Sequence, residues 1–193
     1  MNTLTETVRG WATLEVVEDR RARAGLGILA FALATAFGAQ VAVPLPWTQV
    51  PMTLQPLFVI LAGAVLGPWL GAASMAAYLA VGAAGAPVFS FGGAGLPWLL
   101  GPTGGYLLAY PAAAFLTGMV AGREGSLLRL AAGLTLGIAT LYIGGVSQLF
   151  LLTGESFGTL LAVGVLPFVF GDLTKIAMAL VLTRLVRPFG SGE

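Results

Sequence analysis

The stretch LGILAFALATAFGAQVAV, from Leu26 to Val43, contains no charged residue and is long enough to cross a bilayer as a helix. It is typical of the whole chain. Of the 193 residues, 58% are hydrophobic and 9% are charged, whereas about a quarter of an ordinary soluble domain is charged. So little polar material argues against the soluble globular, disordered and nucleic-acid-binding classes. The sequence therefore predicts a small membrane protein that crosses the bilayer several times.

Glycines and prolines divide the chain into further apolar segments. We predict an all-α integral membrane protein with six transmembrane helices, at residues 26–43, 55–66, 71–84, 104–121, 127–152 and 159–187. Pro167 splits the last segment, because proline favours the first turn of a helix, so residues 167–187 form the sixth helix after a short outer segment. The second and third segments are shorter than a bilayer core, and we expect them to pack against neighbours that frame a cavity. Polar tails at residues 1–25 and 188–193 complete the chain.

The basic residues predict the orientation of these helices. Arginine and lysine favour the cytoplasmic side of membrane proteins. With the amino terminus inside, every arginine falls in a segment on the inner side, at Arg9, Arg20, Arg21, Arg23, Arg123, Arg129, Arg184 and Arg187. The outer segments carry no basic residue and contain Glu155. We therefore expect both termini to be cytoplasmic in a multi-pass protein of the plasma membrane.

The sequence PFVFGDLTKIA, residues 167–177, places an acid and an amine inside the last span. Asp172 and Lys175 are the only such pair within any predicted span, and each costs about 2.5–3.5 kcal/mol at a helix centre. Their spacing puts both on one helical face, at the floor of a pocket that opens outward. Intramembrane charges usually mark a ligand or ion pathway; the alternative is an ion pair that only neutralises itself.

The outer loops supply further candidate binding residues. Glycine lets backbone N–H groups approach a ligand closely, and the segment 85–96 combines glycines with aromatic residues. Thr53 and Gln55 stand at the mouth of the second helix, where they could also simply cap it, and Gly-Pro-Thr-Gly-Gly-Tyr opens the fourth helix. The candidates outside the charged pair are Thr53, Gln55, Phe89, Gly92, Gly93, Gly95 and Tyr106. The alternative is that the glycine segments are ordinary tight connections.

Several kinds of chemistry are excluded by the residues the chain lacks. It has no cysteine and no histidine, so a cysteine nucleophile, a thiolate metal site, and the commonest general base and metal ligand are missing. No second carboxylate lies within a predicted span for acid–base work. We expect no enzyme activity, no cofactor and no metal. A Walker A motif needs a lysine followed by Ser or Thr, but Ile176 follows the single lysine, so any ATP-driven step takes place on another protein.

Three blocks together resemble one family. VPMTLQ at residues 50–55, the stretch 85–106 with GPTGGY, and GDLTK at 171–175 are similar to BioY, the biotin-binding S-component of energy-coupling-factor (ECF) transporters. The resemblance covers residues 26–187. It implies a six-helix subunit that captures biotin from outside and docks on a transmembrane coupling subunit driven by two ATPases. The composition separately predicts no nucleic-acid partner.

The first helix offers a docking face. Ala32 and Ala36 form a small-xxx-small pair, and small residues let membrane helices approach closely. The resemblance implies that alanines of this helix contact the coupling subunit; the alternative is packing inside the protein's own bundle. A second function also stays open, in which the chain is a stand-alone carrier that uses Asp172 as its coupling site.

Overall fold

The computed structural model describes residues 20–122 and 126–186. The predicted tails therefore lie largely outside the described residues, as do Arg9, Arg123 and Arg187. Within the described part the chain is helical, apart from one short antiparallel strand pair. The helices are α1 (Arg20–Gln40), α2 (Gln55–Leu66), α3 (Pro68–Ala83), α4 (Leu96–Leu100), α5 (Gly104–Leu108), α6 (Tyr110–Ala121), α7 (Leu127–Thr153), α8 (Phe157–Gly164) and α9 (Leu166–Val186).

The first helix is shifted relative to the predicted span. It begins at Arg20, six residues before the predicted start at Leu26, and arginine is a good helix former. It ends at Gln40, since the next residues form β1 (Ala42–Val43), which pairs with β2 (Met52–Thr53). Ala42 lies opposite Thr53 in this pair. The segment 41–54 is thereby folded back over one end of the bundle, and we call that end the loop end.

Two predicted segments are each broken near a proline. The fourth becomes α5 and α6, which meet at Ala109, and the last becomes α8 and α9, which meet at Val165. Pro111 and Pro167 follow these breaks by two residues and cannot donate a hydrogen bond to the carbonyl four residues earlier. The sequence predicts the break at Pro167 but not the one at Ala109. The segment between the predicted spans 71–84 and 104–121 is not an irregular loop throughout, because it contains a 3-10 turn at Ser90–Gly92 and the short helix α4.

Away from the loop end, the helices cross at very short distance. A side chain at Gly63 of α2 would collide with the carbonyl oxygen of Ala114 on α6, and one at Gly118 of α6 would collide with the backbone of Gly63 and Pro68. Only glycine allows such close backbone approach. The crossing closes the half of the bundle opposite the loop end, so the space between the helices lies near the loops.

Within residues 20–122 and 126–186, three helices are long and apolar enough to cross a membrane, namely α1, α7 and α9. Large apolar side chains cover their outer faces: Leu33 is 61% exposed, Leu151 81% and Phe170 86%. A soluble protein would not expose so many of them, whereas lipid tails would cover them. The protein is therefore a membrane protein.

Candidate functional site

A cavity lies between the loop end and the middle of the bundle. Segment 41–54 contributes Val50, Pro51 and Thr53 to its wall, and the segment around the 3-10 turn contributes Ser90. Helices α2, α5, α6, α7 and α9 form the remaining walls. The other lining residues are Gln55, Pro56, Thr103, Tyr106, Leu107, Tyr110, Leu141, Tyr142, Phe168, Asp172 and Lys175.

The charged pair of α9 lies in the wall of this cavity. Asp172 and Lys175 share the buried face of α9 with Phe168, Ala179 and Thr183. The Lys175 Nζ donates to Asp172 Oδ1 at 2.6 Å, and both residues are about 95% buried, with 4% and 5% of their surface exposed. The pair compensates its own desolvation in part, and its remaining hydrogen-bonding positions are available to a molecule in the cavity.

Asp172 has a second partner, which the sequence did not indicate. The hydroxyl of Tyr142, near the middle of α7, donates to Asp172 Oδ2 at 2.6 Å. The two carboxylate oxygens thus have separate donors: Oδ1 accepts from Lys175 on α9 itself, and Oδ2 accepts from Tyr142 on α7. A hydrogen bond to a charged group stabilises by about 1.5–3 kcal/mol when it is buried, so this contact fixes α7 against α9 at the cavity.

The predicted residues Thr53 and Gln55 both line the cavity and bind each other. The Thr53 hydroxyl donates to Gln55 Oε1 at 3.2 Å and accepts from the backbone N–H of Gln55 at 3.3 Å. Gln55 Nε2 in turn donates to the Tyr78 hydroxyl at 2.6 Å, which donates to the Val88 carbonyl at 3.0 Å. This chain of hydrogen bonds joins α2, α3 and the following loop. Thr53 therefore satisfies the start of α2 and also faces the cavity.

Tyr106, the last predicted aromatic residue, stands where α5, α7 and α8 meet. Its hydroxyl donates to the Gly164 carbonyl at 2.6 Å, at the end of α8, where backbone acceptors are otherwise unsatisfied. Its ring packs edge-on against Phe168, with centroids 6.5 Å apart. The absence of a side chain at Gly145 makes room for the ring. Tyr106 thus contributes an aromatic wall to the cavity.

The remaining four predicted residues do not line the cavity. Phe89 is fully buried against Tyr78, with ring centroids 5.6 Å apart. Gly93 donates its amide to the Ser90 carbonyl, and Gly95 donates to the Gly82 carbonyl at 2.8 Å. These amides are already used, and Gly92 lies on the exposed turn. This arrangement favours the alternative that the glycines shape a tight connection, while Ser90, just before them in the chain, lines the cavity.

The two alanines proposed as a docking face are half-buried. Ala32 and Ala36 both pack against the central apolar cluster that contains Ile60, Met75 and Tyr78. The exposed face of α1 is formed instead by Leu26, Leu29, Leu33 and Phe37. This placement favours internal packing of the alanines over docking.

Comparison with known proteins groups this chain with one family. The model of the BioY family matches residues 12–191. The chain belongs to the BioY family. It is 40% identical over 154 residues to the probable biotin transporter BioY of Pyrococcus horikoshii. The aligned residues cover 80% of this chain and 90% of that protein. It is 38% identical over 149 residues to the biotin transporter BioY of Thermotoga maritima, with coverage of 77% and 86%.

A solved structure has the same fold as this BioY-family protein. The chain is similar to the crystal structure of the S-component for biotin from an ECF-type ABC transporter, with a TM-score of 0.82 at 25% identity. The match covers 89% of this chain and 94% of that chain. The family resemblance predicted from three sequence blocks is confirmed, and so is the prediction that the protein is a transporter component and not an enzyme.

Sequence reasoning missed several cavity residues of this BioY-family protein. Among the tyrosines, Tyr110 and Tyr142 line the cavity, and Tyr78 binds Gln55 beside it. The chain has four tyrosines, so all of them lie at or next to the site. One signal could have found them: tyrosine in a membrane protein favours the interface with water, and a tyrosine in mid-span needs a buried partner for its hydroxyl.

Proposed function

We propose that this protein is the biotin-capturing S-component of an ECF-type uptake transporter. The observation that carries the proposal is the buried Asp172–Lys175 pair in the wall of a cavity, in a chain with the BioY fold. A relative is named a biotin transporter and the similar structure is an S-component for biotin. The ligand therefore binds in this cavity, which it enters from the loop end.

The chemistry of the cavity matches the parts of biotin. The ureido ring has two N–H donors and one carbonyl acceptor, and Asp172 accepts hydrogen bonds while Lys175 donates them. The apolar side chains of Val50, Leu107, Leu141 and Phe168 suit the sulfur-containing ring and the alkyl chain. The hydroxyls of Ser90 and Thr103 stand nearer the loops and suit the carboxylate of the tail. The ring thus lies deep and the tail points outward.

For the topology, we propose six spans with cytoplasmic termini in the plasma membrane. The helices α1, α2, α3, α7 and α9 each account for one span, and the broken pair α5 and α6 forms the remaining one. The described arginines stand at the start of α1, at the start of α7 and near the end of α9. This distribution supports a cytoplasmic location for that end of the bundle. The loop end then faces outward.

Translocation requires a partner in this proposal, since the single lysine is not part of a Walker A motif. The partner is a transmembrane coupling subunit with two ATP-binding subunits. On α1, the side chains free to contact it are Leu29, Leu33 and Phe37, with Ala32 and Ala36 behind them against the core. The docking contact therefore involves the exposed leucines and phenylalanine at least as much as the alanines.

Two experiments test the proposed function. Titration of the purified protein with biotin should give saturable 1:1 binding, and no binding would overturn the proposal. Uptake of labelled biotin should then be measured in two kinds of vesicle. One kind holds this protein alone. The other also holds the coupling and ATPase subunits, with ATP supplied inside or outside the vesicle. Uptake only with the complete module supports the S-component; uptake by the chain alone, driven by an ion gradient, would support the stand-alone carrier.

A further inference from the structure

Tyr142 is the residue of the cavity that contacts the charged pair from another helix. Its hydroxyl lies 2.6 Å from Asp172 Oδ2, while Lys175 Nζ lies 2.6 Å from Asp172 Oδ1. The lysine is on the same helix as the aspartate, three residues away. Tyr142 is therefore the one contact, among these two, that ties the carboxylate to the neighbouring α7.

Two donors on two oxygens determine the plane of the carboxylate. The last torsion of an aspartate side chain has a broad, roughly two-fold preference. A single donor on Oδ1 would leave the group free to turn about this torsion. With Tyr142 on Oδ2, the plane is fixed. A carboxylate has about four acceptor positions, so two remain for a ligand, and their directions are set by that plane.

The surroundings of Asp172 indicate where its Oδ2 would turn if the Tyr142 hydroxyl were absent. On one side, Tyr142 and Asp172 border a shallow groove between α7 and α9 whose other residues are Thr135, Ile138, Ala139, Val169, Leu173 and Ile176. Thr135 lies two helical turns from Tyr142, about 10 Å along the axis, and the rest are apolar. On the other side, Tyr106 and Tyr110 line the cavity, and the Tyr106 hydroxyl already donates to the Gly164 carbonyl. An Oδ2 without Tyr142 would therefore turn towards the cavity.

We propose that Tyr142 is a positioning residue of the ligand site. It acts through Asp172, by holding the carboxylate plane so that an unused acceptor position faces an N–H donor of the ligand's ureido ring. The inference rests on the proposed function, because it takes biotin as the ligand. It adds a residue of α7 that confers selectivity for ligands that present an N–H donor to Asp172.

The test is a double-mutant cycle with Tyr142→Phe and Asp172→Asn, measured by biotin titration. Phenylalanine keeps the ring and removes only the hydroxyl. Tyr142→Phe should weaken biotin binding roughly tenfold in the wild-type background, because a hydrogen bond to a charged group is lost. In the Asp172→Asn background it should change affinity by less than about twofold, because the group it positions is gone. Tyr106→Phe is the matched control: its hydroxyl binds the Gly164 carbonyl, so its effect should be the same in both backgrounds.

A spectroscopic measurement on the ligand-free protein completes the test. The carboxylate stretching bands of Asp172 are obtained as the infrared difference between wild type and Asp172→Asn. They should shift in Tyr142→Phe and stay in place in Tyr106→Phe. Unchanged bands in Tyr142→Phe, or an equal loss of affinity in both backgrounds, overturns the inference. If Asp172→Asn binds biotin too weakly to titrate, the shift of the carboxylate bands in Tyr142→Phe alone tests the inference. Wild-type protein that does not bind biotin would instead refute the proposed function, while the bands would still report on Tyr142.

Discussion

Asp172 and Lys175 form their ion pair within a single helix, one turn apart on α9, with 2.6 Å between Oδ1 and Nζ. A pair of this kind forms whenever the helix forms, and needs no exact approach of a second helix. The neighbouring helices then determine only what the pair faces. The pairing of the two charges therefore does not depend on the loops at the cavity mouth.

Replacing Asp172 by asparagine should weaken biotin binding tenfold or more. The shape is kept, but a charged acceptor becomes an amide, and hydrogen bonds to charged groups are worth about 1.5–3 kcal/mol. Isothermal titration gives the affinity. The substitution leaves Lys175 buried without its partner, which destabilises the fold by about 3–5 kcal/mol. The titration must therefore be accompanied by thermal melting of the same variant. Unchanged affinity in a folded Asp172→Asn protein would remove Asp172 from the site.

The matched control for that substitution is the double variant Asp172→Asn, Lys175→Met. It removes both charges, so no unpaired ammonium stays buried. We expect it to melt at a higher temperature than Asp172→Asn alone and to bind biotin no better. Recovery of biotin binding together with stability would show that Asp172→Asn acts through folding.

Lys175 should interact with the ring end of biotin and not with its tail. Its amine binds Asp172 deep in the cavity, whereas the hydroxyls proposed for the tail lie nearer the loops. Lys175→Met should therefore weaken biotin and biotin amide by the same factor, measured by competition binding. A much larger loss for the acid than for the amide would place the tail carboxylate on Lys175.

Tryptophan at Ala32 or Ala36 distinguishes docking from internal packing. Both alanines pack against the core, so we expect Ala32→Trp and Ala36→Trp to cost about 1–3 kcal/mol through overpacking and to lower the melting temperature and biotin binding together. Leu33→Trp is the control on the same helix, since Leu33 is 61% exposed, and it should leave both unchanged. Normal stability and binding of the alanine variants, with loss of copurification with the coupling subunit, would establish them as the docking face.

A methyl group at Gly63 should disrupt the helix crossing. It would meet the backbone carbonyl of Ala114, and a backbone atom cannot move aside as the end of a side chain can. We expect Gly63→Ala to destabilise by about 1–3 kcal/mol. Gly25→Ala, on α1 with open space around it, should be neutral or slightly stabilising, because alanine is the better helix former. Equal melting temperatures for the two variants would show that the helices can separate at little cost.

The sequence indicated the membrane class, the polar centre of the last helix and the family, because each depends on local composition and spacing. Asp172 and Lys175 stand out in an apolar span whatever the rest of the fold does. Tyr142 does not, since its role depends on how α7 lies against α9, which no local pattern records. The same holds for Ser90 and Phe89, neighbours in one loop, of which only Ser90 faces the cavity. The break at Ala109 could have been found, because Pro111 removes a backbone donor within an otherwise helical segment.

Lys175 is the only lysine of the chain, and its amine lies buried in the ion pair. An amine-selective acylating reagent therefore meets, apart from the amino terminus, one target that the folded site shields. Modification at residue 175, followed as a single mass increment on the corresponding peptide, reports how often the site opens to solvent in an intact membrane. Occupancy of the cavity by a ligand should slow this labelling, so unmodified protein can serve as its own single-site probe.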